Sequence, residues 1–343
     1  MKKVLCVDPG YSLARAKTLY DDKDYPGHLL YGVNHLGEYG IEAVVRQDTS
    51  QVNSRIKFER DTIKWVNGTA ADAIYLSFID WGVCVALLRK LEIIKIPIVA
   101  LAHGYKKEIL SSDNTASKIK KRIINVLRNF IYSGVDSLIF ISEHAYREFL
   151  RENPNFKNRI TYCPLQPEMI VKEADMHFTK TIISVGKTNR RYDEMLQFAR
   201  DHKEYQVTIV DNTFNQNAKS ANVQCIRSFV PFREVERMYE KNSIIAIPVS
   251  ETGGGVFGLS SILDALSMCK PILASNTQGL GLDINKLELG HTYDIGSSKS
   301  FFEAVKYIET NYGEIVHNIE EFTKNYNINS FSKTVANELE KNI

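Results

Sequence analysis

Cysteine is scarce and scattered in this 343-residue chain: Cys6, Cys84, Cys163, Cys225 and Cys269 are an odd set with no CxxC and no Cys/His cluster at metal-ligand spacing. That excludes a disulfide framework and a zinc module, and it fits reduced thiols in a cytoplasmic protein. An excess of one charge is also missing. Lys and Arg number 43 against 41 Asp and Glu, a formal net charge of +2. So small an imbalance excludes the broad electrostatic footprint of a nucleic-acid binder or an acidic carrier, and any anion site must be local. Long hydrophobic runs are lacking too. The opening MKKVLCVDPG has two lysines and then an apolar run too short for a signal core or a membrane span. No short-period repeat or low-complexity tract appears. Hydrophobic residues at 44% and charged residues at 24% are ordinary for a soluble globular enzyme, and the length favours two domains over one.

What the chain does have is a series of short apolar runs alternating with helical patterns. KVLCV (3–7), IEAVV (41–45), AIYLSFI (73–79), IPIVALA (96–102), SLIFIS (137–142) and RITYC (159–163) are aliphatic and β-branched without polar alternation. That is how strands buried on both faces of a parallel sheet read. KTIISVG (180–186), QVTIV (206–210), VQCIRS (223–228), IIAIPV (244–249) and PILAS (271–275) begin a second series. Helices are expected over 28–40, with Leu29, Leu30, Val33 and Leu36 on one face, and over 82–91, 117–134, 191–203, 232–241 and 259–269. Two strand–helix series imply an α/β protein of two doubly wound parallel-sheet, Rossmann-like domains facing a cleft. The boundaries are 1–165 and 178–330, joined by the proline-containing CPLQPEMIVKEADMHF (163–178).

Two segments carry the chemistry. In IIAIPVSETGGGVFGLSSILDALSMCKPILAS (244–275) a buried strand runs into a loop with Gly253, Gly254, Gly255 and Gly258, then into a helix starting near Leu259. Glycines let a ligand approach the backbone closely, and the free amides and positive dipole end of a helix suit a phosphate. Asp264, further along the helix, is placed to accept hydrogen bonds from a ribose diol. In TIISVGKTNRRYDEMLQFA (181–199), Gly186 ends a strand and Lys187 and Arg190 follow. Two cations at a strand end neutralise a diphosphate, and an arginine holds two oxygens at once. Plain solvated turns remain the alternative for both segments. The stretch 117–134 sets Ile119, Ile123, Val126, Leu127 and Phe130 on one face, with Lys118, Lys120, Lys121, Arg122 and Arg128 around it. It is either a domain helix with a solvated basic face or, over 117–131, a surface that rests on anionic lipid.

On these residues the chain resembles the retaining, family-4-type glycosyltransferases of the GT-B fold. Phe257-Gly258 stands at the family's F-G, Asp264-Ala265 at its second Glu-Ala, and Lys270-Pro271-Ile272 at its K-P-V. The family's first glutamate falls at Gly255 or Val256, where there is none, and upstream Glu251 is the candidate to fill its place. Gly186, Lys187, Asn189, Arg190 and Tyr192 follow the family's strand-end G-R-S-N-R-D-Y pattern, with Arg191 in place of the acid. Phe229 and Val230 stand where the family lines its base pocket. His103-Gly104, closing IPIVALAHGY (96–105), stands where it often carries a histidine near the transferred sugar. SLIFISEHAYREFL (137–150) matches a further segment, and Gly27 and His28 stand at its acceptor-side loop.

The resemblance implies donor contacts from Gly186, Lys187, Arg190, Val230, Gly254, Gly255, Val256, Phe257, Gly258, Leu259 and Asp264, with His103 and Glu251 as catalytic residues. It implies transfer with retention from a nucleotide-diphosphate sugar to a glycan or glycolipid acceptor. No cofactor and no metal are expected, and no D-x-D signature is present. A final helix at about 331–343 is expected to return to the first domain. A catalytically silent domain that binds a sugar nucleotide or partner, or a sugar-nucleotide epimerase, are the alternatives. The protein is expected in the cytoplasm, where the 117–131 face would bring it to the inner membrane surface.

Overall fold

The computed structural model describes residues 1–8, 13–46, 54–105, 115–171, 174–215, 220–250, 257–277 and 280–343, without the side chains of 115–118, 120 and 121. These residues form two compact units. One comprises Met1–Asp22, Leu30–Leu165 and Ile328–Ile343; the other comprises Lys23–Leu29 and Gln166–Asn327. The second unit thus takes a seven-residue piece from near the start of the chain, and the first takes the last helix, Ile328–Asn342.

The first unit is built on β1 (Lys2–Val7), β2 (Ile41–Val45), β3 (Ala73–Leu76), β4 (Ile98–Ala102), β5 (Ser137–Phe140) and β6 (Ile160–Tyr162). They form one sheet in the order β2-β1-β3-β4-β5-β6, with every pairing parallel. β3, β4 and β5 are buried at every residue, as their unbroken apolar runs require. The second unit holds β7 (Thr181–Val185), β8 (Gln206–Val210), β9 (Val223–Ile226), β10 (Ile244–Ile247), β11 (Ile272–Ser275) and β12 (Gly290–Tyr293). Its order is β12-β11-β10-β7-β8-β9, again all parallel. Each order reverses once, between β1 and β3 in the first sheet and between β7 and β10 in the second. At such switch points adjacent loops diverge and leave a crevice at the carboxyl ends of the strands.

Helix starts follow local chemistry. The Ser54, Ser142 and Ser297 side chains each accept a hydrogen bond from the backbone N–H three residues on, capping the helices Arg55–Gly68, Glu143–Glu152 and Ser298–Thr310. The segment 28–40 corrects a helical expectation. It consists of two 3-10 pieces, Gly27–Leu30 and Val33–Tyr39, broken where Tyr31 and Gly32 take φ of 51° and 80°. Left-handed residues cannot continue an α-helix. A Cβ on Gly32 would lie 2.8 Å from Ser332 Oγ, so the break lets the chain pass close against the last helix.

A carboxylate and an amide tie that helix to the first sheet: Asn342 Nδ2 donates to Ser137 Oγ at 2.9 Å. Glu338 accepts from Ser137 Oγ at 2.7 Å on β5 and from Thr161 Oγ1 at 2.6 Å on β6. Burial opposes its ionisation, but the bonds from Thr161 and Ser137 prevail and hold its carboxyl below the usual range. A depressed carboxyl contributes stability above its unfolded pKa and loses it as pH falls through the folded value. Glu338→Ala is therefore expected to lower unfolding free energy by about 2 kcal/mol near neutral pH, because both hydroxyls lose a charged partner. Urea unfolding should show that difference shrink below about pH 4; an equal difference at pH 7 and pH 3.5 would contradict the assignment.

Candidate functional site

The switch point of the second sheet brings together Gly186, Arg190 and Gly258 among the residues singled out in the sequence. β7 ends at Val185, and Gly186 follows with φ 132°. The chain then turns through Asn189, also left-handed at φ 58°. Arg190 forms an antiparallel bridge with Val249 just beyond β10. The Arg191 N–H donates to the Pro248 carbonyl at 2.8 Å, and the Ser250 N–H to the Asn189 carbonyl at 2.9 Å. The loops after β7 and β10 are thereby stitched together, and the helix Leu259–Ser267 starts beside them with Gly258 as its N-cap at φ 80°.

Arg190 lies inside this construction. One guanidinium Nη donates to Ser261 Oγ at 2.9 Å, in the first turn of that helix, and Ser261 donates in turn to the Val185 carbonyl at 3.1 Å. Two glycines make the space. A Cβ on Gly186 would sit 2.7 Å from Arg190 Nη2, and one on Gly258 would sit 2.7 Å from Ile247 and 3.6 Å from Arg190 Nη1. Arg190 Nε is buried and has no hydrogen-bond partner. Among the described residues no carboxylate forms an ion pair with it. The nearby Asp211 carboxylate is engaged instead by the Tyr192 hydroxyl at 3.1 Å and by Thr213. Burial pushes the arginine's pKa down from its ordinary value. A desolvated cation with an idle N–H, facing a helix N-terminus, lacks an anion. Lys187, three residues earlier, is exposed and makes no hydrogen bond or ion pair among the described residues.

Asp264 lies one turn beyond Ser261 on the same helix, its side chain mostly buried. The Tyr239 hydroxyl comes within 3.5 Å of its Oδ2. His28 Nε2 stands 3.4 Å from its Oδ1, without hydrogen-bond geometry, so both ring nitrogens of His28 and Asp264 Oδ1 are buried and unsatisfied. Gly27 and His28 are both buried, and both lie in the segment that belongs to the second unit. Val230 and Phe257 are half-buried and pack on the second core, while Phe229 is exposed. Leu259 is half-buried at the helix start. Glu251, Gly254, Gly255 and Val256 lie outside the described residues.

Within the first unit, His103 follows β4 close to that sheet's own switch point. Ser77 and Asp8, at the ends of β3 and β1, are hydrogen-bonded to each other there. His103 Nε2 lies 2.7 Å from the Ser77 carbonyl, which can only accept, so the ring proton is on Nε2 and Nδ1 keeps its lone pair. The ring stacks on Phe78 at 3.6 Å between centroids and meets Tyr31 edge-on at 5.2 Å. Burial lowers its pKa to about 4, against the smaller opposing effect of the Ser77 bond.

Sequence reasoning had not assigned roles to Ser261, which holds the guanidinium, or to Tyr239 beside Asp264. Ser261 had one usable signal, its place three residues after a glycine that opens a helix. Tyr239 is an aromatic on an amphipathic helix like many others.

The sequence matches no protein-family model and no curated protein. The structure does match solved ones. Sucrose-phosphate synthase from Thermosynechococcus elongatus superposes with a TM-score of 0.71 at 11% identity, covering 99% of each chain. Anabaena HepE in complex with UDP gives 0.61 at 12% identity, covering 99% of this chain and all of that one. A glycosyltransferase from Rickettsia africae gives 0.59 at 14% identity, over 100% and 99%. The fold is thus GT-B, the two-domain Rossmann-like architecture these glycosyltransferase structures share; at such identities the likeness is one of fold.

An NMR titration of the His103 ring should report a neutral imidazole down to about pH 4. A midpoint near the ordinary 6.5 would contradict the burial and the Nε2–H contact described.

Proposed function

We propose that the protein is a glycosyltransferase that moves a sugar from a nucleoside-diphosphate sugar to an acceptor hydroxyl, with retention at the anomeric carbon. The observation that carries this is Arg190: a half-buried guanidinium whose Nε is buried and unpartnered, against the first turn of a nine-residue helix. A diphosphate supplies the anion this arrangement lacks. The donor loop runs from Gly254 through Leu259, and Lys187 reaches the same diphosphate from solvent. Asp264 takes the ribose diol, and Val230 and Phe257 flank the base.

In the reaction the bond between the anomeric carbon and the diphosphate oxygen breaks, and its electron pair goes to the leaving diphosphate. Contacts from Arg190 and from the helix amides strengthen as that charge grows, which lowers the barrier rather than tightening substrate binding alone. The acceptor oxygen forms the new bond to the anomeric carbon, and its proton passes to the departing diphosphate oxygen. The acceptor, a glycan or glycolipid, is assigned to the first unit, with His103 Nδ1 as the lone pair that receives a hydrogen bond from a hydroxyl beside the reacting one. Glu251 is proposed as the acid that stands in for the family's first glutamate. Charge neutralisation comes from side chains and amides, and no metal takes part.

Lys187→Ala is expected to leave the melting temperature of the free protein unchanged, since the side chain is exposed, and to weaken the thermal shift given by uridine diphosphate. Arg190→Ala should lower turnover of the sugar nucleotide by two to three orders of magnitude, from lost contacts of about 3–4 kcal/mol, and Arg190→Lys should recover only part of it because the fork is gone. Unaltered turnover in both Arg190 variants would remove the residue from the mechanism. A chelator should leave turnover unchanged, and an inhibition reversed by added magnesium would refute the metal-free step. Binding of uridine diphosphate without transfer to any acceptor or to water would favour the silent, ligand-binding alternative.

A further inference from the structure

The helix Thr115–Tyr132 in the first unit is turned the unexpected way round. Its apolar residues Ile119, Ile123, Val126, Leu127 and Phe130 recur at helical spacing and so form one stripe. An ordinary domain helix buries such a stripe. Here those residues are 57%, 61%, 64%, 54% and 45% exposed, and none belongs to the unit's core. The side facing the unit packs Tyr132 and Ile131 on its core and adds polar contacts. Asn129 accepts a hydrogen bond from the Tyr105 hydroxyl, the Arg128 guanidinium lies 6.0 Å over the Tyr105 ring, and the Tyr132 hydroxyl donates to Asp80 at 2.9 Å. The helix is thus anchored through Tyr132, Ile131 and these polar contacts, and its hydrophobic stripe is left towards solvent.

The charge on this helix is as one-sided as its hydrophobicity. Its sequence holds Lys118, Lys120, Lys121, Arg122 and Arg128 and no acid, in a chain whose net charge is only +2. By the 3.6-residue period, Lys118 and Arg122 fall along one edge of the stripe and Lys120 along the other. We propose that this face docks on an anionic lipid bilayer, with the helix lying in the plane of the interface. The apolar stripe enters the boundary between headgroups and acyl chains, while the flanking cations extend sideways to lipid phosphates. No helix among the described residues is long and apolar enough to cross a membrane, so the contact is peripheral. A second copy of the chain is a poorer occupant, because stripe against stripe would set two cationic borders together with no acid on either helix to offset them. The stripe and its cations share no residue with the donor site.

Flotation of the full chain with vesicles tests it. Binding is expected to vesicles of phosphatidylcholine containing about a third phosphatidylglycerol, and to fall at least tenfold on phosphatidylcholine alone or when salt is raised to about 0.5 M. Ile123→Asp with Leu127→Asp should abolish flotation, and Lys120→Glu with Arg122→Glu should weaken it at least tenfold. Both double variants should keep the parent's melting temperature and its thermal shift with uridine diphosphate, since Ile123, Leu127 and Arg122 are exposed. No flotation of the parent at low salt would overturn the proposal. So would flotation that survives both double variants, or sizing that shows a dimer dissociated by Ile123→Asp with Leu127→Asp.

Discussion

A half-buried positive charge with no negative partner among the described residues governs the second unit. Arg190 is held by Ser261 and by the hollow between Gly186 and Gly258, both in left-handed backbone that other residues adopt only with strain. Removing a cation from water costs several kcal/mol unless something pairs with it, and a structure that relieved this internally would place a carboxylate against the guanidinium. Asp211, whose charge the arginine senses, is instead engaged by Tyr192 and Thr213. The protein therefore holds the charge in reserve at a helix mouth. The two left-handed glycines, the stitched loops and the Ser261 hydroxyl all serve to keep it there.

The two sheets share a logic with different wiring. Each is parallel, buried and reversed once in strand order, and each brings its polar residues of interest to the carboxyl end at the reversal. In the first sheet these are Asp8, Ser77 and His103, in the second Arg190 and Ser261. Their chemistry is opposite in kind. His103 is kept neutral, with one nitrogen committed to a carbonyl, and offers a lone pair. Arg190 is charged and offers donors.

Much of this was legible in the sequence, for reasons that can be stated residue by residue. Strands such as β3 and β4 are fully buried, so their apolar runs announce them, and the first of these runs overshoots where hydrophobic residues continue into the turn, as Phe78 and Ile79 do beyond Leu76. β12, Gly290–Tyr293, was not visible, because an edge strand of four residues with a histidine and a threonine half-exposed carries no run at all. Its place depends on a glycine that no Cβ could replace against the Ile272 backbone. The spacing from Gly186 to Arg190 was readable because a glycine and an arginine at a strand end are both chemically specific. The approach of His28 to Asp264 was not, since it joins distant parts of the chain and leaves no local pattern. Nor can periodicity say which side of an amphipathic helix meets the core: the stripe of 119–130 is evident in the letters, while its outward orientation is decided by Tyr105, Asp80 and the amides that hold the opposite side.

The most direct measurement is a crystal structure of the protein with uridine diphosphate. The diphosphate should lie within hydrogen-bond distance of Arg190 Nε and of the first backbone amides of the helix Leu259–Ser267, with the Arg190–Ser261 contact retained. A diphosphate bound elsewhere, or a complex in which Arg190 Nε stays without a partner, would contradict the account.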